Sequence, residues 1–251
     1  MRGRIPWQDP DWPGALPWLE IELDSLGLIV VDVQYSCADP ERTPGRARRD
    51  EQPELFDAWG RRIRELLIPN TQRLLAWFRE RQCPVIFTCV GSLLPDAQDQ
   101  HPKRRLSWLR PGPDAPPYRS PVGTPDYAIL SDIAPLPGEL VIDKNASGAF
   151  NSSAIDFYVQ GLGLRTLVIC GVSTFACVDN TARDAADRGY NVILVEDACA
   201  GSAGSEAAHE ATLRTFERYL GAVRTTEQLL AELNALSATP PLAVPVVARR
   251  A

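Results

Sequence analysis

The sequence contains few of the residues from which metal sites are commonly built. It has two histidines in 251 residues, so a histidine cluster for zinc cannot be assembled. We expect His101, in a proline-flanked loop, and His209, in a predicted helix, to be structural, and we predict neither a metal nor another cofactor. The six cysteines form no CxxC pair and show no regular spacing. Several lie in apolar runs, a pattern typical of reduced, packed thiols in the cytoplasm.

The sequence also lacks a net positive charge and a long apolar segment near its start. The formal net charge is -6 and the isoelectric point is about 5.1, whereas proteins that bind nucleic acids usually carry a basic face. The first residues include two arginines, but no apolar stretch of signal-peptide length follows them. With 45% hydrophobic and 23% charged residues, the composition is that of a globular protein. We therefore predict a cytoplasmic protein that binds neither nucleic acid nor a membrane.

A glycine-rich nucleotide loop and a serine-hydrolase motif are both missing. The first apolar run ends in Asp32-Val-Gln34, which argues against a nucleotide-binding module. The segment Gly171-Val-Ser173-Thr-Phe175 lacks the last glycine of the nucleophile elbow G-x-S-x-G. Neither class of protein is favoured.

What the chain does contain is a series of short apolar runs rich in β-branched residues. Their near-continuous hydrophobicity indicates strands buried on both faces. Because segments long enough for helices separate most of them, we predict an α/β fold with a single doubly wound domain. Its mostly parallel sheet should have five to six strands with helices on both faces. The predicted strands are residues 26–33, 85–90, 139–143, 166–170 and 191–196.

Amphipathic spacing and capping residues predict the helices. They are residues 68–82, 153–160, 177–188, 205–220 and a last helix from residue 225. Irregular composition predicts loops or lids at 36–53 and 95–125. We place an N-terminal arm over 1–24, the domain over 25–237 and a tail over 238–251. The arm carries Trp7, Trp12 and Trp18, which need a surface on which to bury, and we expect that surface on a neighbouring subunit.

Polar residues at the ends of the predicted strands are the first candidates for a site. In an open α/β sheet, ligands bind outside the carboxyl ends of the strands. Asp32 ends the first strand, and Lys144 ends the third. Taken alone, Asp32 is better explained as a loop-capping aspartate and Lys144 as a surface lysine.

Cys177 is the most informative of the polar candidates. It follows a strand and a glycine turn, and it opens a helix. The helix dipole and the unpaired N–H groups of a first turn favour a thiolate there, and they can also stabilise an oxyanion. Cys83, Cys89 and Cys170 belong to strands or their approaches, so we expect them only to pack.

These residues lie in three segments that resemble the isochorismatase-like cysteine hydrolases. That family includes nicotinamidases, N-carbamoylsarcosine amidases, biuret hydrolases and ureidoacrylate amidohydrolases. The resemblance extends over residues 24–236 and rests on the order of its matching pieces. They are Asp32-Val-Gln34, then Lys144-Asn-Ala-Ser-Gly-Ala-Phe150-Asn-Ser-Ser, then Gly171-Val-Ser-Thr-Phe-Ala-Cys177 with Thr181-Ala-Arg-Asp-Ala behind it.

The resemblance implies a catalytic role for each residue. Asp32 is expected to be the general base, Lys144 its electrostatic partner and Cys177 the nucleophile. The resemblance also implies a cis peptide between Val172 and Ser173, and an oxyanion hole made by the backbone N–H groups of Ser173 and Cys177. Attack by the thiolate on an amide carbonyl would release ammonia or an amine and leave a thioester for water to hydrolyse.

One departure from the family bears on the substrate. Family nicotinamidases carry an Asp-x-His metal site after the second strand, where this chain reads Thr88-Cys-Val-Gly-Ser92. We therefore expect a small linear amide or ureide, such as an N-carbamoyl, biuret-like or ureidoacrylate-like compound. A nicotinamidase-type amidase and a catalytically idle member used for binding or assembly remain as alternatives. The family resemblance also suggests a homodimer or homotetramer.

Residues that bind the substrate are less well specified than the catalytic ones. Each has a structural alternative, since a phenylalanine can pack beneath the site and an asparagine can fix a turn. Arg119 could bind a substrate carboxylate, but no pattern supports it. The candidates are Gln34, Asn145, Phe150, Asn151 and Phe175.

Overall fold

The computed structural model describes residues 2–6, 18–42, 52–102 and 121–238. Trp7, Trp12, Arg119 and the tail from residue 239 onward lie outside the described residues, so the predictions made for them stay predictions.

The centre of the fold is a six-stranded sheet in which every neighbouring pair of strands is parallel. Its strands are β3 (Leu26–Val31), β4 (Val85–Val90), β5 (Leu140–Lys144), β6 (Thr166–Val172), β7 (Asn191–Ala200) and β8 (Ala222–Arg224). All residues of β3, β4 and β6 are buried, because helices and loops cover both faces of these inner strands. The predicted doubly wound α/β fold is confirmed.

Seven α-helices are present in the described ranges. They are α1 (Tyr35–Ala38), α2 (Pro53–Arg61), α3 (Ile68–Glu80), α4 (Ile155–Gly161), α5 (Asp179–Asp187), α6 (Glu206–Tyr219) and α7 (Thr226–Ala238). Two π-helical segments, Arg62–Leu67 and Thr174–Val178, lead into α3 and α5. No helix among the described residues is both long and apolar enough to cross a membrane.

The helices differ most from the predicted ones at the start of α5 and ahead of α3. The helix predicted from residue 177 instead begins in the π-helical turn at Thr174. The helical stretch from Pro53 to Leu67 was not predicted at all. Its buried residues Trp59, Ile63 and Leu67 recur every four positions, which is the signal that sequence reasoning could have used.

The described part of the N-terminal arm packs on its own chain. Strand β1 (Arg2–Pro6) pairs with β2 (Trp18–Glu22) in an antiparallel ribbon, and the Leu236 side chain of α7 lies against Gly3. Trp18 remains 38% exposed, with the Arg4 guanidinium 4.4 Å from its ring centre. Burial of the arm on a neighbouring subunit therefore stays a prediction.

The strand order places a topological switch at the middle of the sheet. The order is β5-β4-β3-β6-β7-β8, so the chain builds outward from β3 in one direction and then returns to add β6 on its other side. Loops that leave β3 and β6 diverge there and open a crevice at the carboxyl ends of the strands. Asp32 follows β3, and the Cys177 turn follows β6.

Candidate active site

Asp32 leaves the sheet in a conformation that few non-glycine residues adopt. Strand β3 ends at Val31, and Asp32 has a φ of 55°, in the left-handed region. The Asp32 side chain is fully buried, and its Oδ1 accepts a hydrogen bond of 2.8 Å from Thr88 Oγ1 at the neighbouring strand. The carboxylate is thereby fixed in position.

Lys144 is the last residue of β5 and is also fully buried. Its Nζ lies 2.8 Å from Asp32 Oδ2 and donates to the carbonyls of Ala146 and Ser147, each at 2.9 Å. Three contacts match the three protons of an ammonium group. The contact with Asp32 is an ion pair between two buried side chains, and it places the ammonium group against the carboxylate oxygen Oδ2.

Strand β6 approaches β3 closely at its carboxyl end. Gly171 pairs with Val31 and has a φ of 122°, and a Cβ there would lie 2.1 Å from the Val31 carbonyl oxygen. Only glycine fits this position. One residue further on, the peptide bond between Val172 and Ser173 is cis, as the family resemblance implied.

Cys177 lies in the π-helical turn Thr174–Val178 that opens α5, and it is 6% exposed. The Ser173 carbonyl accepts hydrogen bonds from the N–H groups of Ala176 at 2.9 Å and Val178 at 3.2 Å. These bonds tie the turn back to the end of β6. Since β6 lies directly beside β3, Cys177 and the Asp32–Lys144 pair lie at the same end of the sheet, where the strands have their carboxyl ends.

Four of the other five thiols lie in surroundings that oppose ionisation. Burial raises the pKa of Cys89 and Cys170, and it raises the pKa of Cys199 to about 12. Burial also raises the pKa of Cys83, although this side chain is only partly buried. None of these four positions favours a nucleophilic thiolate.

Gln34 is placed at the site, but its amide group is bonded to the backbone. Its Nε2 donates to the Tyr127 carbonyl, and its Oε1 accepts from the Val90 N–H, both at 2.7 Å. The side chain is fully buried. These contacts support a role in holding the end of β4, so the predicted contact of Gln34 with a substrate would have to replace one of them.

Asn145 follows Lys144, and its contacts lead to a residue that sequence reasoning missed. Its Nδ2 donates to the Asp99 carbonyl at 3.0 Å, and the Asp99 side chain accepts bonds from Ser92 Oγ and the Leu93 N–H at 2.5 and 2.9 Å. Burial favours the neutral form of Asp99. The hydrogen bonds that its carboxylate accepts, chiefly from Ser92, together have the larger effect, so the pKa of Asp99 is lowered. Asp99 thus joins the loop after β4 to the turn after β5.

The remaining substrate-binding candidates differ in their burial and contacts. Phe150 is buried, with its ring centre 5.9 Å from that of Tyr190 and the Arg188 guanidinium 5.4 Å from its ring. This contact fits the packing alternative. Asn151 is exposed, while Phe175 is partly buried and lies over Gly201.

Thr88 is a second residue that sequence reasoning did not select, because nothing distinguishes it within the apolar run of β4.

Of the two histidines, His101 is exposed, and His209 is buried in α6 and contacts Thr174. Within the described ranges, no group of three or more histidine, cysteine or acidic side chains could hold a metal ion.

Comparison with known proteins finds relatives over most of the chain. The family model of the Isochorismatase domain matches residues 27–228. The ureidoacrylate amidohydrolase RutB of Methylobacterium radiotolerans is 30% identical over 220 residues, which cover 85% of this chain and 81% of that protein. The corresponding protein of Variovorax paradoxus is 29% identical and covers 84% and 82%.

Solved structures show the same fold at lower identity. A cysteine hydrolase from Pseudomonas syringae pv. phaseolicola superposes with a TM-score of 0.71 at 21% identity, covering 92% of this chain and 98% of that one. The N-carbamoylsarcosine amidase of Thermoplasma acidophilum gives a TM-score of 0.58 at 23% identity, covering 81% and 97%.

Fold and comparisons together define a hydrolase of the doubly wound α/β class. The chain belongs to the isochorismatase family. The fold, the family and the enzyme class expected from the sequence motifs are therefore confirmed.

Proposed function

We propose that this protein is a cysteine-dependent amidohydrolase that cleaves a C–N bond in a small linear amide or ureide. The observation that carries the proposal is the fully buried Asp32–Lys144 ion pair, which lies at the same sheet edge as the Cys177 turn. A buried carboxylate that is held in place by a lysine and a threonine suits a general base for a thiol at the same end of the sheet.

The first half of the reaction forms a thioester. Asp32 Oδ2 accepts the Cys177 proton as Sγ attacks the carbonyl carbon, and the carbonyl oxygen becomes an oxyanion. The backbone N–H groups of Ser173 and Cys177 stabilise that oxyanion. The C–N bond then breaks, and the departing nitrogen takes the proton from Asp32 to leave as ammonia or an amine.

The second half of the reaction restores the enzyme. Asp32, again ionised, accepts a proton from a water molecule whose oxygen attacks the thioester carbonyl. The C–S bond breaks, the product leaves with the oxygen of water, and the proton returns to Sγ. Asp32 therefore acts as base and acid in turn.

Lys144 makes this proton exchange feasible. A carboxylate beside a developing thiolate would place two negative charges in a buried site. The ammonium group of Lys144 offsets that charge, and the carbonyls of Ala146 and Ser147 hold it in place. Its third contact, 2.8 Å from Asp32 Oδ2, places this positive charge directly beside the carboxylate.

The substrate class rests on the relatives. The names ureidoacrylate amidohydrolase and N-carbamoylsarcosine amidase both denote action on compounds with a carbamoyl-nitrogen linkage. The position of the nicotinamidase metal motif holds Thr88 here, and Thr88 binds Asp32 instead. A ureide or N-carbamoyl compound is therefore our first choice.

An ammonia-release screen tests the proposal directly. The purified protein is assayed with N-carbamoyl amino acids, ureidoacrylate, biuret, linear primary amides and nicotinamide. We expect turnover of at least one ureide and poor turnover of nicotinamide. Cys177→Ala should abolish the activity, while Cys83→Ala, which removes another thiol that is not completely buried, should retain it. Efficient nicotinamide hydrolysis, or an active Cys177→Ala variant, would overturn the assignment.

Assembly into a homodimer or homotetramer is part of the same proposal. Light scattering coupled to size-exclusion chromatography measures it, and a monomer at micromolar concentration would contradict it.

A further inference from the structure

The turn that carries Cys177 makes a buried side-chain hydrogen bond to a helix that is distant in the chain. Thr174, the first residue of the turn, is fully buried, and its Oγ1 lies 2.8 Å from Nδ1 of His209. His209 belongs to α6 and is 8% exposed. One side-chain hydrogen bond therefore joins the turn to a helix 35 residues further along the chain.

The third member of this arrangement determines the direction of the bond. Nη2 of Arg62 lies 2.9 Å from His209 Nε2, and an arginine can only donate. Nε2 must therefore accept, so the proton of the neutral ring resides on Nδ1 and is donated to Thr174 Oγ1. Burial, followed by the Arg62 charge, lowers the pKa of His209 to about 4, in agreement with a neutral ring.

Arg62 is itself bound to the sheet. Its Nε donates to the Cys199 carbonyl at 3.0 Å, and its Nη2 donates to the Glu196 carbonyl at 2.8 Å. Both carbonyls belong to β7, the strand beside β6. Since the sheet fixes Arg62 and Arg62 fixes the His209 ring, Thr174 receives its hydrogen bond from a rigid donor.

We propose that His209 is a positioning residue for the nucleophile turn, acting through its hydrogen bond to Thr174 while Arg62 orients the ring. Thr174 directly follows Ser173, and Cys177 lies three residues further on. The bond therefore sets the separation of the two backbone N–H groups proposed for the oxyanion hole. The catalytic part of this inference rests on the proposed function, whereas the ordering of the turn does not.

Two substitutions of His209 separate its two hydrogen bonds. In His209→Asn the amide occupies the place of Nδ1 and can still donate to Thr174, but it does not reach Arg62. In His209→Gln the amide oxygen can occupy the place of Nε2 and accept from Arg62, but the bond to Thr174 is lost. A second pair of variants tests the same hydrogen bond by changing Thr174. Thr174→Ser keeps the hydroxyl group, and Thr174→Val removes it.

Two readouts are measured on the full-length variants. Amide hydrogen exchange of peptides that cover residues 173–178 reports the order of the turn. The rate at which iodoacetamide alkylates Cys177, with the site identified by mass spectrometry, reports the placement of the thiol. Melting temperatures show whether any change merely follows a loss of global stability.

We expect His209→Gln and Thr174→Val to exchange the turn amides about tenfold faster and to alter the alkylation rate several-fold. His209→Asn and Thr174→Ser should stay within about twofold of the unmodified protein, even where their melting temperatures fall equally. Unchanged exchange in His209→Gln and Thr174→Val would overturn the proposal, as would equal changes in both members of each pair. Altered exchange with no Cys177 alkylation in any protein would support the positioning role and count against the nucleophile instead.

Discussion

The two halves of the candidate site are built in different ways. On one side of β3, Asp32 and Lys144 are fixed at strand ends by a buried ion pair and by Thr88. On the other side, Cys177 lies in a helical turn that is tied down by backbone bonds and by a neutral threonine–histidine contact. In the proposed mechanism the charged half accepts and returns protons, whereas the nucleophile half depends on the shape of a turn.

This difference predicts which substitutions damage the fold and which damage only the chemistry. Changes in the charged half leave a buried charge without its partner and should reduce stability strongly. Changes around the turn leave neutral groups and should reduce activity more than stability.

Lys144→Met should have the largest effect. It leaves Asp32 as a buried carboxylate without a counter-charge, which costs about 3–5 kcal/mol of folding free energy, and it should abolish turnover. Urea unfolding of the single variants Lys144→Met and Asp32→Asn and of their double variant measures the effect. We expect the double variant to be more stable than Lys144→Met, and strictly additive losses would show that the pair is not coupled.

Thr88→Val should have the next largest effect. It removes the hydrogen bond to Asp32 Oδ1 without changing the shape of the side chain, at a cost of about 2 kcal/mol. We also expect kcat to fall about tenfold, because the carboxylate would lose its orientation. Thr88→Ser, which keeps the hydroxyl group, is the matched control, and a Thr88→Val enzyme with full kcat would show that Thr88 serves stability alone.

The free energy of unfolding should depend on pH because the His209 ring takes up a proton. The pKa of this ring falls from its ordinary value of 6.5 to about 4 on folding, so the unfolded chain binds the proton more readily. Stability contributed by the neutral ring is complete above about pH 6.5 and is lost as the pH falls towards 4, by about 1–2 kcal/mol after allowance for solvent screening. Denaturant titrations give the free energy of unfolding at each pH. Between pH 6.5 and 4 this free energy should fall more steeply for the unmodified protein than for His209→Asn, and parallel pH dependences would contradict the assignment.

The smallest effect should come from the N-terminal ribbon. Arg4→Ala removes a guanidinium from the exposed face of Trp18 and should cost about 0.5 kcal/mol. Activity should be unchanged, because the contact lies outside the site. A large loss of activity in this variant would show that the arm takes part in the site, for instance across a subunit interface.

The sequence predicted the parts of this molecule that depend on local pattern. Buried strands are visible as apolar runs, and the strand order then brings Asp32, Lys144 and Cys177 to one edge of the sheet. The π-helical start of α5 was not predictable from periodicity, since it depends on how the turn docks on β7 and α6. The short strand β8 escaped prediction because three residues make too short a run.

Contacts between distant side chains were the least predictable part of the site. Thr88 and Asp99 carry no local signature, and their importance follows only from the partners they meet. His209 was expected to be structural, and its contact with Thr174 could not be foreseen because 35 residues separate the two. Gln34 and Phe150 lie in a recognised motif, yet one binds the backbone and the other packs on Tyr190.

The central claim is that Cys177 forms a covalent intermediate. The most direct test mixes the protein with its best ureide substrate, quenches with acid within milliseconds and measures the mass of the Cys177 peptide. We predict an acyl adduct on Cys177 that forms and decays with turnover. Turnover without any adduct, in a protein whose Cys177→Ala variant is equally active, would contradict the account.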